Sequence, residues 1–211
     1  SVSGDLYDFY FDKDRNFCGA GLFDVSGHGV ASGLVGILSK YLAEKHFTKD
    51  LKKPLENVMQ EFSETLAREK GSVENYLTGI FLRMSKNQVE YVNAGHTDVL
   101  LKSAKTEKVE ILGGKDGGFR GMFLGMPGLP SDGCATVKKQ MESGDILLLY
   151  TDCLIESRNS SGEEFGLERL QKTLEESAAK TPRETLLFIA EKFKTFTKEV
   201  PLRDDFTVIV L

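Results

Sequence analysis

Residues 17–38 read FCGAGLFDVSGHGVASGLVGIL, and this stretch decides the fold class. Its first part, up to Asp24, has the apolar and aromatic run of a β-strand. Its last part repeats apolar residues at three- and four-residue spacing, which is typical of a helix. Gly27 and Gly29 lie between the two parts and allow the chain to turn sharply out of the strand. The stretch therefore predicts a strand that leads directly into a helix.

The residues around this stretch extend the pattern. Residues 5–12 (DLYDFYFD) form a second strand-like run, separated from the first by the polar tip at 13–16, so we expect a β-hairpin. We expect a helix from Gly29 to about His46 with one apolar face buried. The residues assigned to that face are Val30, Leu34, Ile37, Leu38, Tyr41 and Leu42.

The remaining chain alternates between strand-like and helix-like segments. A helix is expected at 54–70, and short strands at 77–84, 88–94, 98–102 and 108–112 predict an antiparallel meander. Strands near 135–141 and 145–150, helices near 166–178 and 182–198, and a last strand at 206–211 follow. This order indicates an α+β sandwich. Residues 113–133 are rich in glycine and predict a surface loop, where the choice of substrate could reside.

Composition excludes several classes of protein. The 211 residues fit one domain, and 27 Lys and Arg against 32 Asp and Glu give a net charge of −5, which argues against binding to nucleic acid. No apolar run has the roughly 18 residues of a membrane span, so we expect no membrane contact by this domain. Three cysteines lie far apart, which argues against a disulfide framework or a thiolate zinc site and favours the reducing cytoplasm.

Acidic residues recur where strand-like runs begin or end. They are Asp5, Asp24, Asp152 and the pair Asp204 and Asp205. Burying unpaired carboxylates next to apolar strands is costly, and a shared cation would offset that cost. A set of aspartates with few His or Cys residues favours hard divalent ions such as Mg²⁺ or Mn²⁺. The alternative is that each of these residues only forms a turn or caps a helix.

Three other kinds of functional site are matched only incompletely by the sequence. Gly27 and Gly29 begin a dinucleotide-binding pattern, but Ser32 stands where the third glycine belongs. Ser26 and His28 lack an evident third member of a catalytic triad, and Ser26 is better explained as a turn residue. The run from Asp12 to Asn16 imitates an EF-hand loop, but Phe17 occupies the position that requires glycine.

Six segments, in order along the chain, resemble the motifs of the metal-dependent PPM serine/threonine phosphatases. They are GDLYDF (4–9), FDVSGHGVASGLV (23–35), NAGHTDVLL (93–101), GMFLGMPG (121–128), GDILLLYTDCLIESRNSSGEEFGLERL (144–170) and DDFTVIVL (204–211). More narrowly, they resemble the bacterial stage II sporulation protein E-like branch, which includes stress-response phosphatases that act on anti-sigma-factor antagonists. The resemblance implies an αββα sandwich, with two central, mostly antiparallel β-sheets flanked by helices.

The resemblance also implies a site with two Mn²⁺ or Mg²⁺ ions. Asp24 is similar to the aspartate that bridges both metals, and Val25 to the residue that contributes a backbone carbonyl. Asp152 and Asp204 resemble further ligands, and Asp5 matches the first acidic position; Asp205 is the weaker candidate of its pair. Such ions would clamp phosphate oxygens and activate a water molecule for attack on phosphorus. His28 or His96 could protonate the leaving oxygen, although turn histidines more often have structural hydrogen bonds.

The sequence departs from the family pattern at two points. Cys153 follows Asp152 where the family has glycine, and a left-handed backbone there would cost a cysteine about 1 kcal/mol. The chain also begins at Ser1, almost at the first motif, so we expect residues 1–211 to be one phosphatase domain at the C-terminal end of a longer signalling protein.

Two hypotheses for the function follow. The first is an active phosphatase for phosphoserine or phosphothreonine on a signalling protein, for which an anti-sigma-factor antagonist is one candidate. The second is a catalytically inactive PPM-like module that binds a partner. In either case we expect an upstream sensor or regulatory domain acting through the helices at 29–46 and 54–70. We expect a cytoplasmic location for this domain, with or without a membrane tether elsewhere in the full-length protein.

Overall fold

The computed structural model describes residues 4–113, 121, 123–126, 134–178, 181–198 and 200–211. The chain divides into two compact units, one formed by residues 1–96 and 116–140 and the other by residues 97–115 and 141–211. Each unit contains one antiparallel sheet with helices against it. The predicted α+β class with two antiparallel sheets and helices is thereby confirmed.

The first unit has a five-stranded sheet in the order β1-β2-β3-β4-β7. Its strands are β1 (Asp5–Phe11), β2 (Phe17–Val25), β3 (Leu77–Ser85), β4 (Gln88–Ala94) and β7 (Val137–Gln140). Helices α1 (Val30–Lys49) and α2 (Leu55–Glu69) pack on it. The predicted hairpin at residues 5–24 is β1 and β2, and the buried rings of Tyr10 and Phe47 stack at 4.3 Å between centroids in this core.

The second unit has a four-stranded sheet in the order β6-β5-β8-β9. Its strands are β5 (Leu100–Lys102), β6 (Val109–Ile111), β8 (Ile146–Tyr150) and β9 (Val208–Val210). Helices α4 (Leu167–Glu176) and α5 (Pro182–Thr197) pack on this sheet, and the short helix α3 (Cys153–Glu156) follows β8. All five residues of β8 are buried, as their apolar run predicts.

The single predicted meander across residues 77–112 is wrong. Strands β3 and β4 pair in the first sheet, whereas β5 and β6 pair in the second. The chain therefore changes sheets between Ala94 and Leu100. Local spacing identified each strand, but the partner of a strand is chosen by tertiary packing.

The predicted buried face of α1 is also largely wrong. The large side chains Val30, Leu34, Ile37 and Tyr41 are 60–74% exposed. Apart from Val35, Leu42 and Phe47, the buried residues of α1 are small: Ser32, Gly33, Ser39 and Ala43. A methyl group added to Gly36 would lie 3.8 Å from Leu6 and 3.9 Å from Val25, which is ordinary van der Waals contact, so Gly36 faces strands β1 and β2.

Helix α5 buries only part of its apolar surface. Ile189 and Phe193 are buried, whereas Leu187 is 59% exposed. The glycine-rich loop predicted at 113–133 lies mostly outside the described residues. Within the part of it that is described, Leu124 exchanges two backbone hydrogen bonds with Leu77 at the start of β3. No helix among the described residues is long and apolar enough to cross a membrane.

Candidate metal and phosphate site

Asp5 and Asp24 lie opposite each other at the open end of the first hairpin. The antiparallel register of β1 and β2 pairs Asp5 with Asp24. Directly opposed residues of such a pair have Cβ atoms about 5 Å apart. Both side chains are only partly buried, so the structure brings two of the predicted metal ligands together at one edge of the sheet.

Backbone carbonyl oxygens lie close to Asp5 and Asp24. The Val25 amide donates to the carbonyl oxygen of Gly4 at 3.1 Å. A Cβ atom added to Gly4 would lie 3.0 Å from the carbonyl oxygen of Val25 and 3.4 Å from Oδ1 of Asp24. The carboxylate of Asp24 and the carbonyl of Val25 thus border one small space that glycine leaves open. Hard divalent cations prefer oxygen donors of this kind.

The turn after Val25 has the expected backbone. Gly27 and Gly29 both have positive φ, at 81° and 94°, which the steep exit from β2 into α1 requires. Ser26 supports the turn because its hydroxyl accepts from the Tyr76 amide at 2.9 Å. His28 is exposed within the turn. These contacts agree with the interpretation of Ser26 as a turn residue.

His96 lies in a network of hydrogen bonds within the first unit. Its Nδ1 is 2.8 Å from the hydroxyl of Thr78, and its backbone amide donates to Oδ1 of Asn93 at 2.7 Å. The amide nitrogen of Asn93 donates back to the carbonyl of His96 at 3.1 Å. The imidazole is 5% exposed. These contacts favour a structural role for His96 over the role of a proton donor to the leaving oxygen.

Asp152 and Asp204 lie together in the second unit. Asp152 is at the start of α3, directly after the buried strand β8, and Asp204 is in the segment that connects α5 to β9. Both line one cavity of about 550 Å³. Burial and, next, the charge of Asp204 raise the pKa of Asp152. A cation placed between the two carboxylates would relieve this repulsion.

Asp205 and Asp204 differ in their position relative to this cavity. Asp204 lines the cavity, whereas Asp205 is not among the lining residues. The backbone amide of Asp205 donates to Oδ1 of Asp204 at 2.9 Å. Asp205 therefore helps to orient the carboxylate of Asp204 through its main chain.

The sequence interpretation missed several residues of the cavity wall. Glu156 lines the cavity, and burial, followed by the charge of Asp152, raises its pKa. Arg158 pairs with Glu164 at 2.7 Å on the same wall, and Arg203 lines it as well. Glu156 follows Asp152 by four residues, a spacing that places two side chains on one helix face, but this becomes a signal only once helix α3 is known.

Cys153 fits its position without the backbone strain considered above. It is the first residue of α3, and no left-handed backbone occurs there among the described residues. Its side chain is 5% exposed, and burial raises the pKa of the thiol, which keeps it protonated. The backbone strain considered for a cysteine at this position is therefore absent.

The donor set of each pair suits a hard divalent ion. Asp5, Asp24 and the Val25 carbonyl in the first unit, and Asp152 and Asp204 in the second, offer only oxygen atoms. Within either unit, the described residues contain no group of three or more His, Cys, Asp or Glu side chains that could hold a metal alone. Water or substrate oxygens would have to complete the coordination, as is usual for Mg²⁺.

Comparisons with known proteins agree with this arrangement. A family model described as Stage II sporulation protein E (SpoIIE) matches residues 17–211. Phosphoserine phosphatase RsbU of Bacillus subtilis (strain 168) is 28% identical over 220 residues, which cover 100% of this chain and 59% of RsbU. The chain thus spans less than two thirds of that relative.

Solved structures share the fold. The SiaA-PP2C domain of Pseudomonas aeruginosa matches with a TM-score of 0.79 at 18% identity, covering 100% of this chain and 80% of that one. RsbX in complex with magnesium matches with a TM-score of 0.66 at 16% identity, covering 100% of this chain and 87% of that one. At these identities the likeness establishes the fold.

Proposed function

Because the chain belongs to the stage II sporulation protein E family of PPM serine/threonine phosphatases, we propose that it hydrolyses phosphoserine or phosphothreonine on a signalling protein. The observation that carries the proposal is that Asp152 and Asp204 share one cavity, where their repulsion favours a bound cation. RsbU, which is a phosphoserine phosphatase by name, supports the substrate class. An anti-sigma-factor antagonist remains our candidate substrate.

We propose that Asp5, Asp24, the carbonyl of Val25, Asp152 and Asp204 hold two Mn²⁺ or Mg²⁺ ions. When bound, such ions supply Lewis-acid stabilisation of phosphate oxygens and an activated water nucleophile. The complex of RsbX with magnesium supports an ion of this class.

The chain's own residues supply binding and orientation. A cavity of about 550 Å³ has the size of sites that admit small ligands, so a phosphorylated side chain can enter it. Arg203 on the cavity wall offers a guanidinium to the phosphoryl oxygens, while the guanidinium of Arg158 is already paired with Glu164. We retain the exposed His28 as the candidate for protonating the leaving oxygen.

The test compares matched carboxylate variants with p-nitrophenyl phosphate and a phosphoserine peptide. We expect activity with Mn²⁺, loss of activity with EDTA, and a loss of about 100-fold or more in Asp24→Asn and Asp152→Asn. Asp205→Asn is the control, since its neighbour and not Asp205 lines the cavity. Turnover that resists EDTA, or an unimpaired Asp152→Asn variant, would refute the proposal.

We further propose that residues 1–211 form one cytoplasmic phosphatase domain of a longer signalling protein. In this proposal an upstream sensor acts through α1 and α2, which follow the turn after Asp24 in the chain. Equal activity of this segment and its full-length parent, with and without the stimulus, would argue against such regulation.

A further inference from the structure

The segment that carries Asp204 has no regular secondary structure. Residues 200–207 connect α5 to β9 without a helix or strand, and the side chain of Asp204 is exposed. A carboxylate on such a segment is not placed by a rigid element. Its distance from Asp152 therefore depends on contacts that reach the segment from elsewhere in the second unit, one of which is the stacking of Phe206 on Phe193 of α5 at 4.7 Å between ring centroids.

Thr151, on one side of Asp152, makes three such contacts. Its backbone amide donates to the carbonyl of Thr207 at 3.0 Å. Its hydroxyl accepts from the amide of Thr207 at 3.1 Å and lies 3.4 Å from the carbonyl oxygen of Asp205, to which it donates. Thr151 is 1% exposed, so water cannot readily replace these bonds.

Cys153, on the other side of Asp152, contacts the same segment. Its Sγ lies 3.4 Å from the carbonyl oxygen of Asp204 and 3.6 Å from the hydroxyl of Ser157. A thiol can donate a hydrogen bond to the carbonyl, which a glycine at this position cannot do. The two residues next to Asp152 thus both bind the segment that carries Asp204.

We propose that Thr151 and Cys153 are positioning residues that hold the 200–207 segment against Asp152 and so fix the separation of the Asp152 and Asp204 carboxylates. These carboxylates repel each other. Thr151 and Cys153 contact Asp205 and Asp204 themselves, whereas another anchor of the segment, the ring of Phe206 stacked on Phe193, lies further along the chain, so loss of the two contacts leaves Asp204 less restrained. The consequence for metal binding rests on the proposed function, whereas the ordering of the segment does not.

The test uses Cys153→Ala, Cys153→Ser and Thr151→Val, with Cys18→Ala as the matched control. Cys18 is also a buried free cysteine, but it belongs to the core of the first unit. Cys153→Ser keeps a donor, and Thr151→Val keeps the shape of the side chain while removing the hydroxyl. Thermal denaturation of all four variants separates a general loss of stability from a local one.

The first measurement is amide hydrogen exchange of residues 200–207 in the metal-free protein, followed by mass spectrometry. We expect exchange about threefold faster or more in Cys153→Ala and Thr151→Val, near wild type in Cys153→Ser, and unchanged in Cys18→Ala. Wild-type exchange of this segment in both Cys153→Ala and Thr151→Val would overturn the inference, whether or not the protein binds metal.

The second measurement is Mn²⁺ affinity by isothermal titration calorimetry. Loss of a contact that orients a ligand is expected to weaken binding by about tenfold in Cys153→Ala, with recovery in Cys153→Ser. A wild-type protein that binds no Mn²⁺ would refute the proposed function, and the exchange data would still decide the positioning role. If the wild type binds Mn²⁺ and both Cys153→Ala and Thr151→Val bind it equally tightly, the positioning role is overturned and the proposed function is not.

Discussion

The orientation of α1 is tested by two alanine substitutions on opposite faces of the helix. Val35 is 3% exposed and Ile37 is 72% exposed. The spacing of apolar residues in the sequence predicts that Ile37 is buried, so it predicts the larger loss of stability for Ile37→Ala. The structure predicts the reverse order, and the pair of variants decides between them.

The size of each effect follows from the area that each side chain buries. Val35→Ala removes two buried carbon atoms at about 0.8 kcal/mol each, and the cavity adds to this, for about 2 kcal/mol. The better helix propensity of alanine returns about 0.5 kcal/mol, which leaves a net loss of about 1.5 kcal/mol. Ile37→Ala removes three carbon atoms that are only about one quarter buried, a loss of about 0.6 kcal/mol that helix propensity nearly cancels.

Urea and thermal unfolding, followed by circular dichroism, measure both variants. In a protein of this size 1 kcal/mol corresponds to about 2–4 °C, so Val35→Ala should lower the Tm by about 3–6 °C and Ile37→Ala by less than about 2 °C. Measurements at two protein concentrations separate folding from association through the exposed apolar side chains. A loss of stability in Ile37→Ala equal to or larger than that in Val35→Ala would refute the orientation of α1.

Three further predictions concern backbone, charge and capping. Gly79→Ala should destabilise the protein by about 3 kcal/mol, because its Cβ would lie 2.0 Å from the ring of Phe23. Gly36→Ala should stabilise the protein by up to about 1 kcal/mol, because alanine has the better helix propensity and its methyl group fits. Urea unfolding of both variants checks these opposite signs. In EDTA, Asp152→Asn should raise the Tm at pH 7, because the raised pKa of Asp152 makes ionisation unfavourable in the folded state. That gain should vanish as the pH falls below the ordinary aspartate pKa, where the carboxyl is protonated in the folded and unfolded states alike. A Tm of Asp152→Asn no higher than that of the wild type at pH 7 would contradict the prediction. Thr181 caps α5 by accepting from the amide three residues later at 3.2 Å, so Thr181→Ala should cost about 1 kcal/mol in chemical denaturation and Thr181→Ser much less.

Local sequence patterns predicted the elements well where the signal is carried by neighbouring residues. The β1–β2 hairpin and the turn at Gly27 and Gly29 follow from residues within one stretch. The buried strand β8 is evident from its unbroken apolar run. The short helix α3 was missed, because four residues carry too little periodicity to reveal a helix.

The candidate site was predicted only in part. The contexts of Asp152 and Asp204 mark both residues in the sequence, and the structure places them in one cavity. The contributions of Glu156 and Arg203 to the cavity wall depend on how the segments around α3 and before β9 fold together, and neither segment specifies this alone. The pairing of Asp5 with Asp24 depends on the register of the hairpin.

The amino-acid sequence by itself determined the family, the order of strands and helices, and the acidic residues at strand ends, because each is carried by consecutive residues or by motifs in order. Tertiary structure decided which face of α1 is buried and which sheet each strand joins. An apolar stripe shows that a helix has a distinct face, but burial depends on how closely that face approaches another element. In α1 most of the residues buried are small, and the large side chains Leu34 and Ile37 are left exposed.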